Sequence, residues 1–75
     1  MERAYHERTG VTYGRRYAVC YESGELAVVD IDTGSLVNLL QWKKPLWRMM
    51  ELDGRLLVAT GDGELLVFDE GIWAL

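Results

Sequence analysis

The sequence predicts an all-β protein, an antiparallel β-meander of two similar units, and three observations carry that reading. The stretch Arg16 to Asp30 (RYAVCYESGELAVVD) returns later in the chain as Arg55 to Asp69 (RLLVATGDGELLVFD), with seven of fifteen positions identical. Short β-prone runs are separated by glycine-containing turn signals, Ser23-Gly24, Asp53-Gly54 and Asp62-Gly63. Finally, the alternation along these runs is apolar on both sides: Leu65 and Val67 oppose Leu66 and Phe68, and Leu26 and Val28 oppose Ala27 and Val29. A half-solvated strand would carry polar residues on one of those faces. Both faces therefore call for cover. In a chain of 75 residues that means completion by oligomerisation or closure as a small barrel or sandwich.

The elements follow in order. Residues 1–14 form a polar N-terminal arm with room for one strand, near 3–8 or 11–14. The first unit, 15–42, holds strands near 16–22, 25–30 and 36–42. Lys44-Pro45 interrupts the chain, because proline removes a backbone donor. The second unit, 46–75, holds strands near 46–52, 55–60 and 64–69, and Ile72 to Leu75 begins a last one. Leu46, Met49 and Met50 also have helical spacing, but seven residues ahead of an Asp-Gly turn favour a strand. Gly24 and Gly63, the invariant pair of the repeat, are expected in two-residue hairpin turns with positive φ. The whole is one small domain, near the length where a lone core leaves only a few kcal/mol of margin.

Two segments carry a family resemblance. Asp53 to Asp69 (DGRLLVATGDGELLVFD) and Gly24 to Gly34 (GELAVVDIDTG) resemble the repeat of quinoprotein-type β-propellers, with WD-repeat blades as more distant cousins. Trp42 follows a little later than the tryptophan usual in that family, and the offset that carries Arg16 onto Arg55 is close to a blade length. The second copy departs by shortening Asp30-Ile31-Asp32-Thr33-Gly34 to Asp69-Glu70-Gly71. The resemblance implies blade architecture and no particular activity. A complete propeller needs at least about four blades, and this chain holds two at most, so the resemblance implies that several chains cooperate.

Composition narrows the function classes. The apolar fraction of 49% is ample for a folded core. Cys20 is the only cysteine, which excludes an internal disulfide and any multi-cysteine metal site, and its place between Val19 and Tyr21 reads as a buried thiol. No apolar run approaches the roughly 20 residues of a membrane span, and the start, MERAYHERTG, is too polar for a signal peptide. A soluble intracellular protein with no membrane partner is expected. Charge is uneven: residues 1–16 sum to +2, 17–42 to −4, 43–48 to +3 and 51–75 to −5. Asn38 and Gln41 are the only side-chain amides and arginine exceeds lysine, a bias associated with hot-growing sources.

Candidate chemistry is sparse. Val28-Val29 followed by Asp30-Ile31-Asp32-Thr33-Gly34-Ser35 resembles the catalytic loop of aspartic proteases, which makes Asp32 a candidate acid/base if two chains each supply one carboxylate. The same Asp-x-x-Thr-Gly run also reads as a turn in which side-chain oxygens bond local amides. Asp30 and Asp32 are candidate calcium ligands by their spacing, but the glycine and the glutamate of an EF-hand loop are out of place. Gly61-Asp62-Gly63 lacks the following helix of a phosphate loop, and no cofactor motif is present. His6, in the arm, has no nucleophile suggested by spacing.

Two binding sets remain. Arg3, Arg8, Arg15 and Arg16, with Lys43, Lys44 and Arg48, combine cations with neighbouring tyrosines and tryptophans, as single-strand nucleic-acid binders do, although the overall acidity opposes it. Trp42, Trp47, Trp73 and Phe68 are candidates for a core or a subunit interface, where buried aromatic area dominates. A non-catalytic, self-associating β-repeat scaffold or interaction module is expected, with nucleic-acid binding second and an aspartic-type peptidase third.

Overall fold

The computed structural model describes residues 7–74, with side chains from residue 10 onward. Seven strands form two antiparallel sheets: β1 (Glu7–Tyr13), β2 (Arg16–Tyr21), β3 (Glu25–Asp30) and β4 (Leu36–Gln41) in one, and β5 (Leu46–Leu52), β6 (Arg55–Thr60) and β7 (Leu65–Phe68) in the other. A 3₁₀ turn, η1 (Glu70–Trp73), follows. The fold is all-β, and each sheet is a simple meander in which neighbours in sequence are neighbours in space. No hydrogen-bonded ladder joins β1 to β5 or β4 to β7 among the described residues, so the sheets face each other without closing into a barrel.

Alternation sorts the side chains as the sequence implies. Ala18, Cys20, Leu26 and Val28 point inward from the first sheet and meet Leu46, Leu56 and Val58 from the second. Ile72 and Trp73 of η1 complete this core. The expected last strand at 72–75 is instead this turn. Asp69 caps it, its Oδ1 accepting the Gly71 N–H at 3.0 Å, and Ala74 ends it in the left-handed region. A cap three residues before a buried Ile-Trp pair turns the chain back onto the core.

The arm is better integrated than its polarity suggests. One strand, 7–13, bridges the two stretches considered for it and pairs with β2 throughout, so the first sheet begins in the arm. Residues 46–52 are a strand, and their helix-like spacing has a physical source. The register skips between Leu46 and Arg48, so Trp47 is a β-bulge. The extra residue reverses the alternation, which lets Leu46 and Met49, three apart, share the inward face.

The repeat extends beyond the fifteen residues that advertise it. Under the same shift that carries Arg16 onto Arg55, β1 falls on β5 and β2 on β6, and the bulge between Glu7 and Thr9 falls on that at Trp47. Between 7–13 and 46–52 no residue is identical, so sequence identity alone does not register this half of the repeat. Gly24 and Gly63 take φ of 96° and 94° as expected, but the loops are longer than two residues. Gly24 N–H donates to Tyr21 O at 3.0 Å, and Gly63 N–H to Thr60 O at 3.2 Å. Both are three-residue loops that end on a left-handed glycine, the common alternative to a two-residue turn. A two-residue left-handed turn occurs at Asp53-Gly54, with φ of 52° and 85°.

Candidate functional site

The Asp30–Ser35 loop is a self-bonded turn. Asp30 Oδ1 accepts the N–H groups of Asp32 (2.8 Å) and Thr33 (3.2 Å), and Gly34 N–H donates to Asp30 O at 2.7 Å. Thr33 Oγ1 accepts from Ser35 N–H at 3.1 Å. These are the local side-chain-to-backbone bonds that stabilise turns. Asp69, the repeat counterpart of Asp30, uses the same oxygen on the amide two residues ahead. Asp32 projects into solvent and pairs with Arg15, whose Nε lies 3.0 Å from Oδ2. The guanidinium holds the Asp32 carboxyl below its ordinary range. Among the described residues, no group of three or more His, Cys, Asp or Glu is placed to hold a metal ion.

Arg16 has an architectural post. Its Nη1 reaches Asp30 Oδ2 at 2.8 Å, its Nε donates to Trp73 O at 2.9 Å and its Nη2 to Ala74 O at 3.1 Å. One side chain thereby joins β2, the 30–35 loop and the end of η1. Lys44 is also engaged: its Nζ lies 2.6 Å from Asp62 Oδ2 and 3.5 Å from Glu64 Oε1. Of the cations considered for nucleic acid, Lys43 and Arg48 make no ion pair with another described side chain. Arg3, like His6, lies outside the described residues, as does the side chain of Arg8.

The Lys44–Asp62 contact gives a pH expectation. Lys44 and then the Thr60 hydroxyl lower the Asp62 carboxyl to about 2. A carboxylate depressed in the folded state contributes stability above its ordinary range, and loses that contribution as pH falls through the folded value. We expect a carboxyl-carbon NMR titration of Asp62 to have its midpoint near 2, and Lys44→Met to move it upward toward 3.8. An unmoved midpoint would assign the depression to the Thr60 hydroxyl and the Glu64 amide.

The aromatic candidates separate. Trp73 is fully buried, at 0% exposure, with its Nε1 donating to Gly54 O at 2.8 Å and its ring 5.2 Å from that of Tyr13. It is a core anchor of its own chain, because the cap at Asp69 folds it inward. Trp42 and Phe68 pack half-buried against the core. Trp42 Nε1 is buried without a hydrogen-bond partner among the described residues. Trp47 is about half-exposed and lines, with Lys44, Pro45 and Asp62, an open depression of about 440 Å³.

Each sheet also has a largely apolar outward face. On the outward face of the second sheet, Met50, Leu57 and Val67 stand in one cross-strand row, and Arg48, Ala59 and Leu65 in the next. Met50, Leu52, Leu65 and Val67 are each more than half exposed. The outward face of the first sheet carries half-buried Tyr17, Ala27 and Val29 around a buried Val19, with exposed Leu36 and Leu39 beyond them on β4. The signal for both faces was present in the two-sided alternation. No family model, curated protein or solved structure matches the chain, and no helix among the described residues is long and apolar enough to cross a membrane.

Proposed function

We propose that the protein is a non-catalytic, self-associating β-repeat module whose natural state is a homo-oligomer. The observation that carries this reading is the outward face of the β5–β6–β7 sheet, where Met50, Leu52, Leu65 and Val67 are each more than half exposed on one small surface. Contiguous exposed apolar surface of this kind marks interaction sites in folded proteins. Its companions support a structural role. The aspartates of the 30–35 loop bond their own turn and the arginines beside them, and Arg16 clamps three segments. The likeness to propeller blades fits the same reading, since blades are sheets covered on both faces by neighbours.

Sedimentation velocity across a wide concentration range tests it. The expected result is an oligomer that dissociates on dilution, and loss of that oligomer in the Leu65→Lys/Val67→Lys variant with the β-rich circular dichroism retained. A wild-type chain that stays monomeric at high concentration would contradict the proposal.

A further inference from the structure

The two sheets meet through faces that the repeat makes unlike. Under the repeat shift, the inward Ala18, Cys20, Leu26 and Val28 of the first sheet fall on Leu57, Ala59, Leu65 and Val67, the outward face of the second. In the other direction, the inward Leu56, Val58, Leu66 and Phe68 of the second sheet correspond to Tyr17, Val19, Ala27 and Val29, the outward face of the first. The chain thus stacks two like units in one sense, front on back. A stack in one sense leaves one front and one back unused, and these are the two apolar outward faces.

We propose that the outward β5–β6–β7 face of one copy receives the outward β1–β4 face of a second copy, so that the chain assembles head-to-tail. The contact between copies continues the interface that each copy already makes within itself. This rests on the self-association proposed above and specifies its geometry. Within the chain, Leu26 shares one apolar hollow with Val58, Leu66 and Phe68. Applying the repeat, Leu65 of one copy meets Ala27 and Val29 of the next, while Val19, the third counterpart, is already buried in its own chain.

Ionic side chains are few on both faces: Arg48 and Arg55 on the second sheet, the latter beside Asp53, Asp69 and Glu70, and Glu25 among the described side chains of the first. The correspondence has two gaps, the first being β4, which has no counterpart in the three-stranded sheet. Ile72 and Trp73, which wedge the internal joint, fall on Thr33 and Gly34, so the joint between copies lacks its wedge and is the weaker of the two. Contacts of this heterologous kind form a ring if the rotation closes and a filament if it does not.

Complementation by mixing tests the geometry. Ala27→Lys/Leu39→Lys blocks the first face and Leu65→Lys/Val67→Lys blocks the second. Native mass spectrometry should find each variant monomeric alone, and their equimolar mixture should give a one-to-one dimer and nothing larger. If either double variant loses its cooperative melt, the single variants Leu39→Lys and Leu65→Lys, at positions more than half exposed, replace it. A folded variant that dimerises with itself through its intact face would overturn the head-to-tail geometry while leaving self-association standing. Folded variants that stay monomeric when mixed would overturn it as well. A wild-type chain with no oligomer at all would instead remove the reading beneath it.

Discussion

Replacing Trp73 with alanine is expected to unfold most of the protein. The indole is fully buried where β1, β6 and η1 meet, and it contributes a large share of the apolar volume of a small core. Truncating a buried tryptophan costs about 3–5 kcal/mol, which is about the entire margin that a single core supplies at this size. Two further losses fall on the same residue: the hydrogen bond from Nε1 to Gly54 O and the tilted ring contact with Tyr13. Arg16 also holds the Trp73 and Ala74 carbonyls, so loosening η1 releases the clamp on the Asp30 loop. Trp73→Phe keeps most of the volume and removes the donor, which leaves one buried carbonyl unsatisfied at about 1–3 kcal/mol. Urea melts followed by circular dichroism should therefore rank wild type, then Trp73→Phe, then Trp73→Ala. An alanine variant as stable as the phenylalanine variant would remove Trp73 from the core.

The second large effect is expected at Gly24, and its contrast with Gly63 is the informative part. Both glycines sit at positive φ, where a Cβ costs about 1–2 kcal/mol. Gly63 faces open space, so Gly63→Ala should cost little more than that. A Cβ on Gly24 would be driven into the backbone carbonyls of Trp42 and Lys44, which cannot rotate away as a side chain does. Gly24 O also accepts the Trp42 N–H at 2.8 Å, tying the β2–β3 loop to the chain leaving β4. Overpacking of this kind adds about 1–3 kcal/mol. Gly24→Ala should therefore be clearly less stable than Gly63→Ala in parallel melts. Equal stabilities would mean that the β2–β3 loop does not lie against the 42–44 segment.

These cases show what a sequence of this kind makes legible. The strands 16–21, 25–30, 55–60 and 65–68 announce themselves, because apolar alternation and a left-handed glycine are both local signals. Strand β1 is less visible: Gly10 and Thr12 occupy the positions of Met49 and Glu51, so neither identity nor hydropathy links the two halves. The missing side chain at Gly10 is filled from across the ladder, where the Tyr17 ring lies over it. Trp73 looked like an interface residue because a short apolar segment has no periodicity to say which way it faces. The cap at Asp69 decides that. The partners of Arg16 on η1 lie 57 and 58 residues away and are backbone carbonyls, which carry no sequence signature. The apolar outward faces, by contrast, were written in the alternation from the start, as a demand for cover on both sides.

The measurement closest to the centre of this account is an isotope-filtered NOE experiment on an equimolar mixture of labelled and unlabelled protein. It reports only contacts between copies. Head-to-tail stacking requires cross-peaks from the Leu65 and Val67 methyls of one copy to Ala27 and Val29 of another. Cross-peaks that instead join Leu65 and Val67 to the same residues of a second copy would show a two-fold contact and contradict the repeat-directed assembly.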